Sequence, residues 1–269
     1  QAVRKKPNSS LVVGLALQKA GKSDAYVSAG NTGAVLAAST LMLGLHEGVK
    51  RASVATPFPS ADGAVLLIGG GANVDCTAQE LVGCARLGTF YMRDILGRTE
   101  PVVGLLNVGE EDEKGNAAVR EAHGLLKLTS GFRYVGNIEG RDILVGHTKY
   151  GQLDVVVCDG FVGNIMLKSW ESLVKFFSSM LKEELQANPM RATGALLAKS
   201  AFSALKERIN PERYGGAPLL GLKGNILKAH GSSNRRAIKS AIHAASQIIK
   251  ADMNHRSETD TSRVNARLA

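Results

Sequence analysis

The sequence is poor in cysteine and in aromatic residues. Cys76, Cys84 and Cys158 are its only cysteines, and they show neither a CxxC pair nor a histidine-rich metal spacing. An odd set of cysteines without such spacing favours reduced thiols in a cytoplasmic protein, and it predicts no metal site. Aromatic residues make up 5% of the chain and do not alternate with lysine or arginine. This pattern disfavours stacking on single-stranded nucleic acid, so no nucleic-acid partner is expected.

Hydrophobic runs of membrane-spanning length are lacking too. Residues 25–45 are uncharged and long enough, but Asn31 and Thr32 between Gly30 and Gly33 would break a helix in hydrocarbon. We therefore interpret this stretch as strand, turn and helix. No basic segment followed by an apolar one opens the chain, so no secretion signal is expected. The first residue is Gln1 rather than Met, so part of the natural N-terminus is expected to be missing.

Positive charge is in excess. The 33 Lys and Arg residues outnumber 24 Asp and Glu residues, giving a formal charge of +9. That excess favours an acidic partner, which is a nucleic acid, an anionic membrane face, an acidic protein or a phosphate-bearing substrate. With 269 residues and 44% hydrophobic content, the chain can bury a large core. We expect one α/β domain over residues 1–250 and a flexible polar tail over 251–269.

A repeated pattern predicts the fold class. Short runs of Val, Ile and Leu precede a glycine-bearing turn and then a segment with helical spacing. This is typical of an α/β protein whose mostly parallel strands are buried on both faces. The predicted strands are 25–28, 64–68, 102–108, 134–138, 155–158 and 226–230. The predicted helices are 34–45, 78–96, 116–128 and 165–186, and Thr77 is expected to cap the second of them.

Two later segments have amphipathic spacing. In residues 165–186 a stripe that includes Trp170, Leu173 and Phe177 predicts a helix packed on the core. Residues 190–213 combine an apolar stripe with a basic flank. Two interpretations are open for them: a helix that covers the core, or a projecting helix whose apolar side meets a membrane surface.

The turns after the strands are the places to search for a site. In an open parallel sheet, ligands bind where strands end and helices begin, and we expect six such turns to lie at the same end of the strands. We call each end of the strands an edge of the sheet. These turns show no serine-protease, Walker A or metal signature. This favours a site that binds oxyanions and the polar ends of ligands. Lys114 is the least ordinary residue among them. A solvated acidic helix start explains the four carboxylates at 110–113, but it does not explain Lys114 beside Gly115, and lysine is a natural phosphate ligand.

Seven ordered motifs resemble those of one family. They are SAGNTGA, GANVDC, LLNVGEEDEKGN, NIEGRDIL, DVVVCDGFVGN, YGGAPLLGL and AHGSS. The chain from about residue 5 to residue 249 resembles the PlsX-type phosphate acyltransferases of bacterial phospholipid synthesis. The resemblance implies transfer of a fatty acyl group from acyl carrier protein to inorganic phosphate, without a cofactor. It also implies a three-layer α/β/α sandwich like that of isocitrate and isopropylmalate dehydrogenases, with a helical hairpin at 190–213.

The resemblance implies partners and roles as well. A homodimer is expected, with peripheral membrane association through the hairpin. Lys114 is expected to neutralise charge and Asn164 to orient phosphate or the carbonyl, as the catalytic residues. The expected substrate-binding residues are Asn31, Gly33, Asn73, Glu110, Asp159 and His230.

The chain departs from the family pattern at two places. Family members carry a preceding Asp-Ala-Met-Gly-Gly-Asp type motif, and this sequence begins after it. Where the family has aspartate in Leu-Leu-Asp-x-Gly-Ala-Asn, this chain has Gly69. Two alternative interpretations stay open: an inactive fragment or membrane-bound scaffold of the same fold, and a nicotinamide-dependent dehydrogenase, which the lack of GxGxxG disfavours.

Overall fold

A mixed sheet forms the centre of the computed structural model, which describes residues 2–61, 63–69, 74–209 and 216–251. The strands within these ranges are β1 Ala25–Ser28, β2 Ser53–Ser60, β3 Gly63–Ile68, β4 Val102–Leu106, β5 Arg133–Ile138, β6 His147–Thr148, β7 Gly151–Gln152, β8 Val155–Val157, β9 Ala217–Leu220 and β10 Asn225–Lys228. The helices are α1 Ala2–Lys5, α2 Ser10–Lys19, α3 Thr32–Leu43, α4 Ala78–Asp94, α5 Ala117–Lys127, α6 Gly140–Val145, α7 Gly160–Gln186, α8 Pro189–Leu197, α9 Lys199–Ile209 and α10 Arg235–Lys250.

The main sheet has eight strands in the order β1-β10-β9-β2-β3-β8-β4-β5. Strands β3, β8, β4 and β5 run parallel to one another, and so do β1 and β10. Strands β9 and β2 lie between these groups and pair antiparallel with their neighbours. The predicted fold class, a mostly parallel sheet between helices, is confirmed. The three antiparallel pairings from β10 to β3 make the two parallel groups run in opposite directions.

The core lies on both faces of the sheet. Strand β8 consists of three valines with no exposed surface, as expected for a strand covered on both sides. Helices α4, α5 and α10 pack on one face through residues such as Leu81, Leu126 and Ile248. Helices α2, α3, α6 and α7 cover the other face through separate apolar clusters. The capping prediction is also confirmed, because Thr77 and Glu80 form a capping box at the start of α4.

Strands β2 and β9 were not predicted, and proline is the reason. Strand β2 contains Pro57 and Pro59, and β9 contains Pro218. Proline cannot donate to a ladder and argues against a central strand. In β2, however, only Ser53 and Val54 pair with β9, whereas the proline-containing part pairs with β3 alone. On that side β2 behaves as an edge strand, where proline is tolerated.

The apolar stripe of α7 does not pack on the core as predicted. Trp170 does, with its ring centroid 5.6 Å from that of Phe58. Beyond it, Phe177 is 61% exposed and Leu173 is also exposed. A helix of 27 residues is about 40 Å long, whereas the three-residue β8 beside it spans about 10 Å. The helix therefore extends past the sheet that was expected to bury it.

The segment after α7 folds into two helices, α8 and α9. None of the described residues of either helix is buried, so the interpretation as a helix that covers the core is wrong. Helix α9 contacts the rest of the chain through Arg208, which donates to the carbonyl of Ala61 at 3.0 Å, and through Glu207, which pairs with Arg236. The predicted segment runs on to residue 213, and residues 210–213 lie outside the described part. So do residues 252–269 of the predicted tail.

Hydrophobic length also bears on the membrane question. Within the described residues, no helix combines the length and the apolar character that crossing a bilayer requires.

Gly69 occupies a backbone position that excludes a side chain. It follows β3 with a φ of +102°, and its N–H donates to the carbonyl of Val54 at 3.2 Å. A Cβ atom here would lie 1.9 Å from the carbonyl oxygen of Cys158. The aspartate of the family pattern therefore requires a different backbone at this point, and the glycine is a structural necessity of the present one.

We expect Gly69→Ala to destabilise the protein more than Gly131→Ala. Gly131 has nearly the same φ, +100°, but nothing lies within 4 Å of its Cβ position. Both variants share the backbone strain, on the order of 1–3 kcal/mol, and only Gly69→Ala adds the clash. Urea unfolding of the two variants measures the difference. Equal losses would show that the Cys158 carbonyl moves aside freely.

Candidate active site

Lys114 lies in a loop that connects β4 to α5. Asn107 closes the loop, because its Nδ2 donates to the carbonyl of Lys114 at 3.0 Å and its Oδ1 accepts from the N–H of Val108 at 2.8 Å. Gly115 has a φ of +93°, and a Cβ there would lie 2.6 Å from Asn107 Oδ1. Gly115, which stands beside Lys114 in the sequence, is thus needed for this closure. The Lys114 side chain is exposed, and its ammonium pairs with none of the described carboxylates.

Two of the four acids of this loop, Glu110 and Asp112, are anchored rather than simply solvated. Glu110 lies 3.3 Å from the ammonium of Lys149 and 3.5 Å from the guanidinium of Arg141. Asp112 contacts Lys127, and its Oδ1 lies 2.9 Å from His123 Nε2. None of these acids lies in the first turn of α5, so the prediction of an acidic helix start is wrong. Glu110 and Asp112 bind basic side chains on the neighbouring elements and so fix the course of the loop.

These contacts shift pKa values in the direction of the ion pairs. The hydrogen bond from Lys127, and next that from His123, lowers the pKa of Asp112 below its usual value. The hydrogen bond to Glu110 raises the pKa of Lys149. At neutral pH the Asp112 carboxylate and the Lys149 ammonium are therefore charged, although exposure to solvent limits how strongly each pair stabilises the loop.

Helix α7 starts directly after β8, the strand that pairs with β4. Asp159 is the N-cap, and its Oδ1 accepts from the N–H of Val162 at 2.7 Å. Asn164 follows in the first turns of the helix and is exposed. Because β8 pairs in parallel with β4, their carboxyl ends meet at one edge of the sheet. The structure thus brings Lys114, Glu110, Asp159 and Asn164 to the same edge, while Asn73 lies outside the described residues.

Asn31, Gly33 and His230 are not part of that group. They follow β1 and β10, which run opposite to β3, β8 and β4, so they lie at the other edge of the sheet. The prediction that all six turns share one edge is wrong, because the unpredicted strands β2 and β9 reverse the chain direction. Asn31 caps α3 by accepting from the N–H of Ala34 at 3.0 Å, and Gly33 lies within that helix.

Helix α7 connects the two edges. Glu171 Oε2 lies 2.8 Å from the ammonium of Lys168 and 3.9 Å from His230 Nε2, and His230 Nδ1 lies 2.7 Å from the hydroxyl of Ser232. Asn164 and Glu171 are seven residues apart, or roughly 10 Å along the helix axis. Burial, and next the neighbouring Lys168, lowers the pKa of Lys228. The second edge therefore carries basic groups of its own.

The cysteines near the site are not activated. Burial raises the pKa of the Cys76 thiol, which lies just before α4, and it raises the pKa of Cys84 to about 12. Burial also raises the pKa of Cys158, at the end of β8. All three thiols stay protonated at neutral pH and are poor nucleophiles. Any acyl transfer at this edge therefore does not use a cysteine thiolate.

His123, Asp112 and Tyr134 were missed by the sequence analysis. His123 reads as a lone histidine on an apolar helix face, and its partners lie 11 residues away on either side. The one available signal was His123 and Lys127 at helical spacing in α5, after an acidic run of opposite charge.

Comparisons with known proteins settle the family. A profile of the family described as "Fatty acid synthesis protein" matches residues 1–256. The chain belongs to this family. Relatives named phosphate acyltransferase support the same conclusion. The protein from Caldanaerobacter subterraneus subsp. tengcongensis is 44% identical over 252 residues, which cover 94% of this chain and 74% of the relative. The one from Acidobacterium capsulatum is 44% identical over 260 residues, which cover 97% and 75%.

The family membership makes the chain an acyltransferase that acts with phosphate, as predicted. Solved structures agree on the fold alone. A phosphotransacetylase from Streptococcus pyogenes has a TM-score of 0.56 at 18% identity, covering 88% of this chain and 67% of that one. A branched-chain phosphotransacylase from Enterococcus faecalis has a TM-score of 0.57 at 12% identity, covering 90% and 80%.

We expect the cap of α7 to depend on the Asp159 oxygen rather than on its charge. Asp159→Ala should lower the free energy of unfolding by about 1 kcal/mol, whereas Asp159→Asn should stay close to the wild type because asparagine caps equally well. Chemical denaturation of both variants checks this. Equal losses in the two would assign the stabilisation to the negative charge. Turnover by the Asn variant then reports what that charge does for the substrate.

Proposed function

We propose that the enzyme transfers a fatty acyl group from the thioester of acyl carrier protein to inorganic phosphate, forming an acyl phosphate. One observation carries this proposal: Glu110 and Asp112 anchor the loop after β4, yet the Lys114 ammonium is exposed and pairs with none of the described carboxylates, at the same edge of the sheet as the start of α7. An exposed ammonium and a helix N-terminus at the same edge of the sheet suit a phosphate dianion. Membership in a family of phosphate acyltransferases supplies the reaction class.

The proposed reaction is a direct displacement. An oxygen of hydrogen phosphate attacks the thioester carbonyl, a tetrahedral oxyanion forms, and the carbon–sulfur bond then breaks. The phosphate proton ends on the departing thiolate, so that acyl phosphate and free thiol leave. Phosphate is itself an anionic nucleophile, so no protein nucleophile is needed, in keeping with the raised pKa values of the cysteines. Positioning and electrostatic stabilisation then supply the rate.

Each residue at this edge has a proposed role. Lys114 neutralises charge on phosphate, and Asn164 orients the phosphate or the carbonyl. Glu110 and Asp159 act on the substrate indirectly, because Glu110 is paired with Arg141 and Lys149 and Asp159 caps α7. The opposite edge holds Asn31, Gly33 and His230, whose proposed contacts are with the acyl end of the substrate. Asn73 stays a proposed phosphate contact.

The acyl donor is proposed from charge. The chain has a formal charge of +9, which suits an acidic carrier protein. Docking that depends on exposed charges weakens as salt rises, since the Debye length falls from about 10 Å at 0.1 M to about 3 Å at 1 M ionic strength.

We expect Lys114→Ala to lower phosphate-dependent thiol release by on the order of 10²–10³-fold, because it removes a group that stabilises developing charge. Release of free carrier-protein thiol, with and without phosphate, measures it. Lys239→Ala is the matched control, since Lys239 is an exposed lysine at the start of α10. Normal turnover by Lys114→Ala would remove Lys114 from the mechanism. No release by folded wild-type protein would favour the inactive scaffold.

We also propose peripheral membrane association through α8 and α9. Leu197 is 82% exposed, and Met190 and Leu196 are exposed on the same helix. Arg191 and Lys199 lie close by in the sequence. Exposed apolar side chains beside basic ones suit the interface of an anionic bilayer.

A second copy of the chain is the proposed partner of α7. Its exposed face carries Phe176, Phe177, Met180 and Leu181. A contiguous apolar surface of this kind is typical of a homodimer interface. The face is aromatic and has few charges, which distinguishes it from the basic surface of α8 and α9.

The two surfaces lead to opposite expectations for two variants. Phe177→Glu should convert dimers to monomers, because it buries a charge in an apolar interface. Leu197→Glu should leave the mass unchanged and weaken binding to anionic vesicles. Sedimentation and vesicle flotation measure the two properties for both proteins. If Leu197→Glu also produced monomers, or if it bound vesicles normally, the proposed assignment of the surfaces would be wrong.

A further inference from the structure

His123 is a buried histidine with two polar partners on two other elements. It lies on α5, and only 4% of its surface is exposed. Its Nε2 is 2.9 Å from Asp112 Oδ1 in the loop after β4, and its Nδ1 is 2.7 Å from the hydroxyl of Tyr134 on β5. The ring thus connects the Lys114 loop, the helix that follows the loop, and the outer strand of the sheet.

The hydrogen bonds assign the tautomer. A carboxylate only accepts, so the proton is on Nε2 and points to Asp112. Nδ1 then accepts from the Tyr134 hydroxyl, and burial, and next Asp112, raises the pKa of that phenol so that it keeps its proton. Both ring nitrogens are therefore hydrogen-bonded. Burying an imidazole costs free energy unless its nitrogens are hydrogen-bonded. The two hydrogen bonds therefore fix the position and orientation of the ring, which apolar packing alone does not do.

The contact between His123 and Asp112 constrains Lys114 through the backbone that joins Asp112 to Lys114. Asp112 precedes Lys114 by two residues, and the N–H of Lys114 donates to the carbonyl of Glu111 at 3.2 Å. The same carbonyl accepts from the buried Asn137 amide on β5 at 2.8 Å. Lys127 also contacts Asp112, but both side chains are exposed there, so that pair holds the loop weakly. Of the two side chains that contact Asp112, His123 is the buried one. We call its contact with Asp112 the tether of the loop.

We propose that His123 is a positioning residue that holds the loop so that Lys114 faces the reacting phosphate. The role rests on the function proposed above. It acts through Asp112, and His123 itself touches neither substrate nor the reacting atoms. Tyr134 fixes the ring from the other side, which sets the distance between the loop and the sheet.

His123→Leu is the variant that tests the tether, because it keeps an apolar side chain of similar size and removes both hydrogen bonds. The KM for phosphate should rise by on the order of tenfold or more, while the KM for the acyl thioester stays unchanged. His123→Gln retains an amide donor for Asp112 and should recover part of the loss. Leu126→Ala is the control for lost stability, since Leu126 is fully buried on the same helix and packs on the core.

Hydrogen exchange separates this proposal from the proposed function. The amides of residues 108–115 should exchange faster in His123→Leu and stay protected in Leu126→Ala, whether or not the wild type turns over. If the wild-type protein released no thiol, the proposed function would be wrong. Hydrogen exchange would still test whether His123 holds the loop. Unchanged loop exchange in His123→Leu, equal loosening in Leu126→Ala, or an unchanged KM for phosphate in active protein would each overturn the positioning role.

Asp112→Ala covers the case in which His123→Leu does not fold. Asp112 is exposed, so its loss breaks the same tether from the loop side without opening the core. It should loosen the loop and raise the KM for phosphate in the same way. A folded Asp112→Ala protein with normal loop exchange would overturn the proposal on its own.

Discussion

The antiparallel strands β9 and β2 determine where functional groups can lie in this protein. Because they separate two parallel groups, the carboxyl ends of β3, β8 and β4 lie at one edge of the sheet, and those of β1 and β10 lie at the other. In a wholly parallel sheet all of these turns would converge. Here Lys114 and Asn164 share one edge, and Asn31 and His230 share the opposite one. Helix α7 joins them, since it begins at the edge that carries Lys114, and its Glu171 lies 3.9 Å from His230 at the other.

Charge distribution follows from this division. At the first edge, Glu110 and Asp112 pair with basic side chains, whereas the ammonium of Lys114 pairs with none of the carboxylates in the described part of the chain. Glu110 and Asp112 hold the loop to neighbouring cations, and the Lys114 ammonium is exposed on it. A free cation on a constrained loop stabilises a charged transition state better than one on a flexible loop, because less reorganisation is needed when charge develops.

Sequence patterns predicted the parts of the fold in which one local signal decides the structure. The runs around Leu67, Val103 and Val156 are strands because burial on both faces requires continuous apolar sequence. Strand β2 was missed because its prolines argue against a strand, and their tolerance depends on how far β9 extends along it. The stripe on α7 was predicted correctly as a helix face, but periodicity does not say which surface covers that face. The Lys114 loop was found from its glycine and lysine, whereas His123 needed partners that only the folded chain brings together.

Trp170 is the only tryptophan of the chain, and it packs against Phe58 where α7 leaves the sheet. Its indole lies between the first turns of the helix, which carry Asn164, and the exposed aromatic face farther along. Fluorescence excited at the red edge of the absorption band comes from this one ring, without contribution from the tyrosines. The protein therefore contains its own optical probe between its proposed catalytic edge and its proposed dimer surface, and no label has to be introduced.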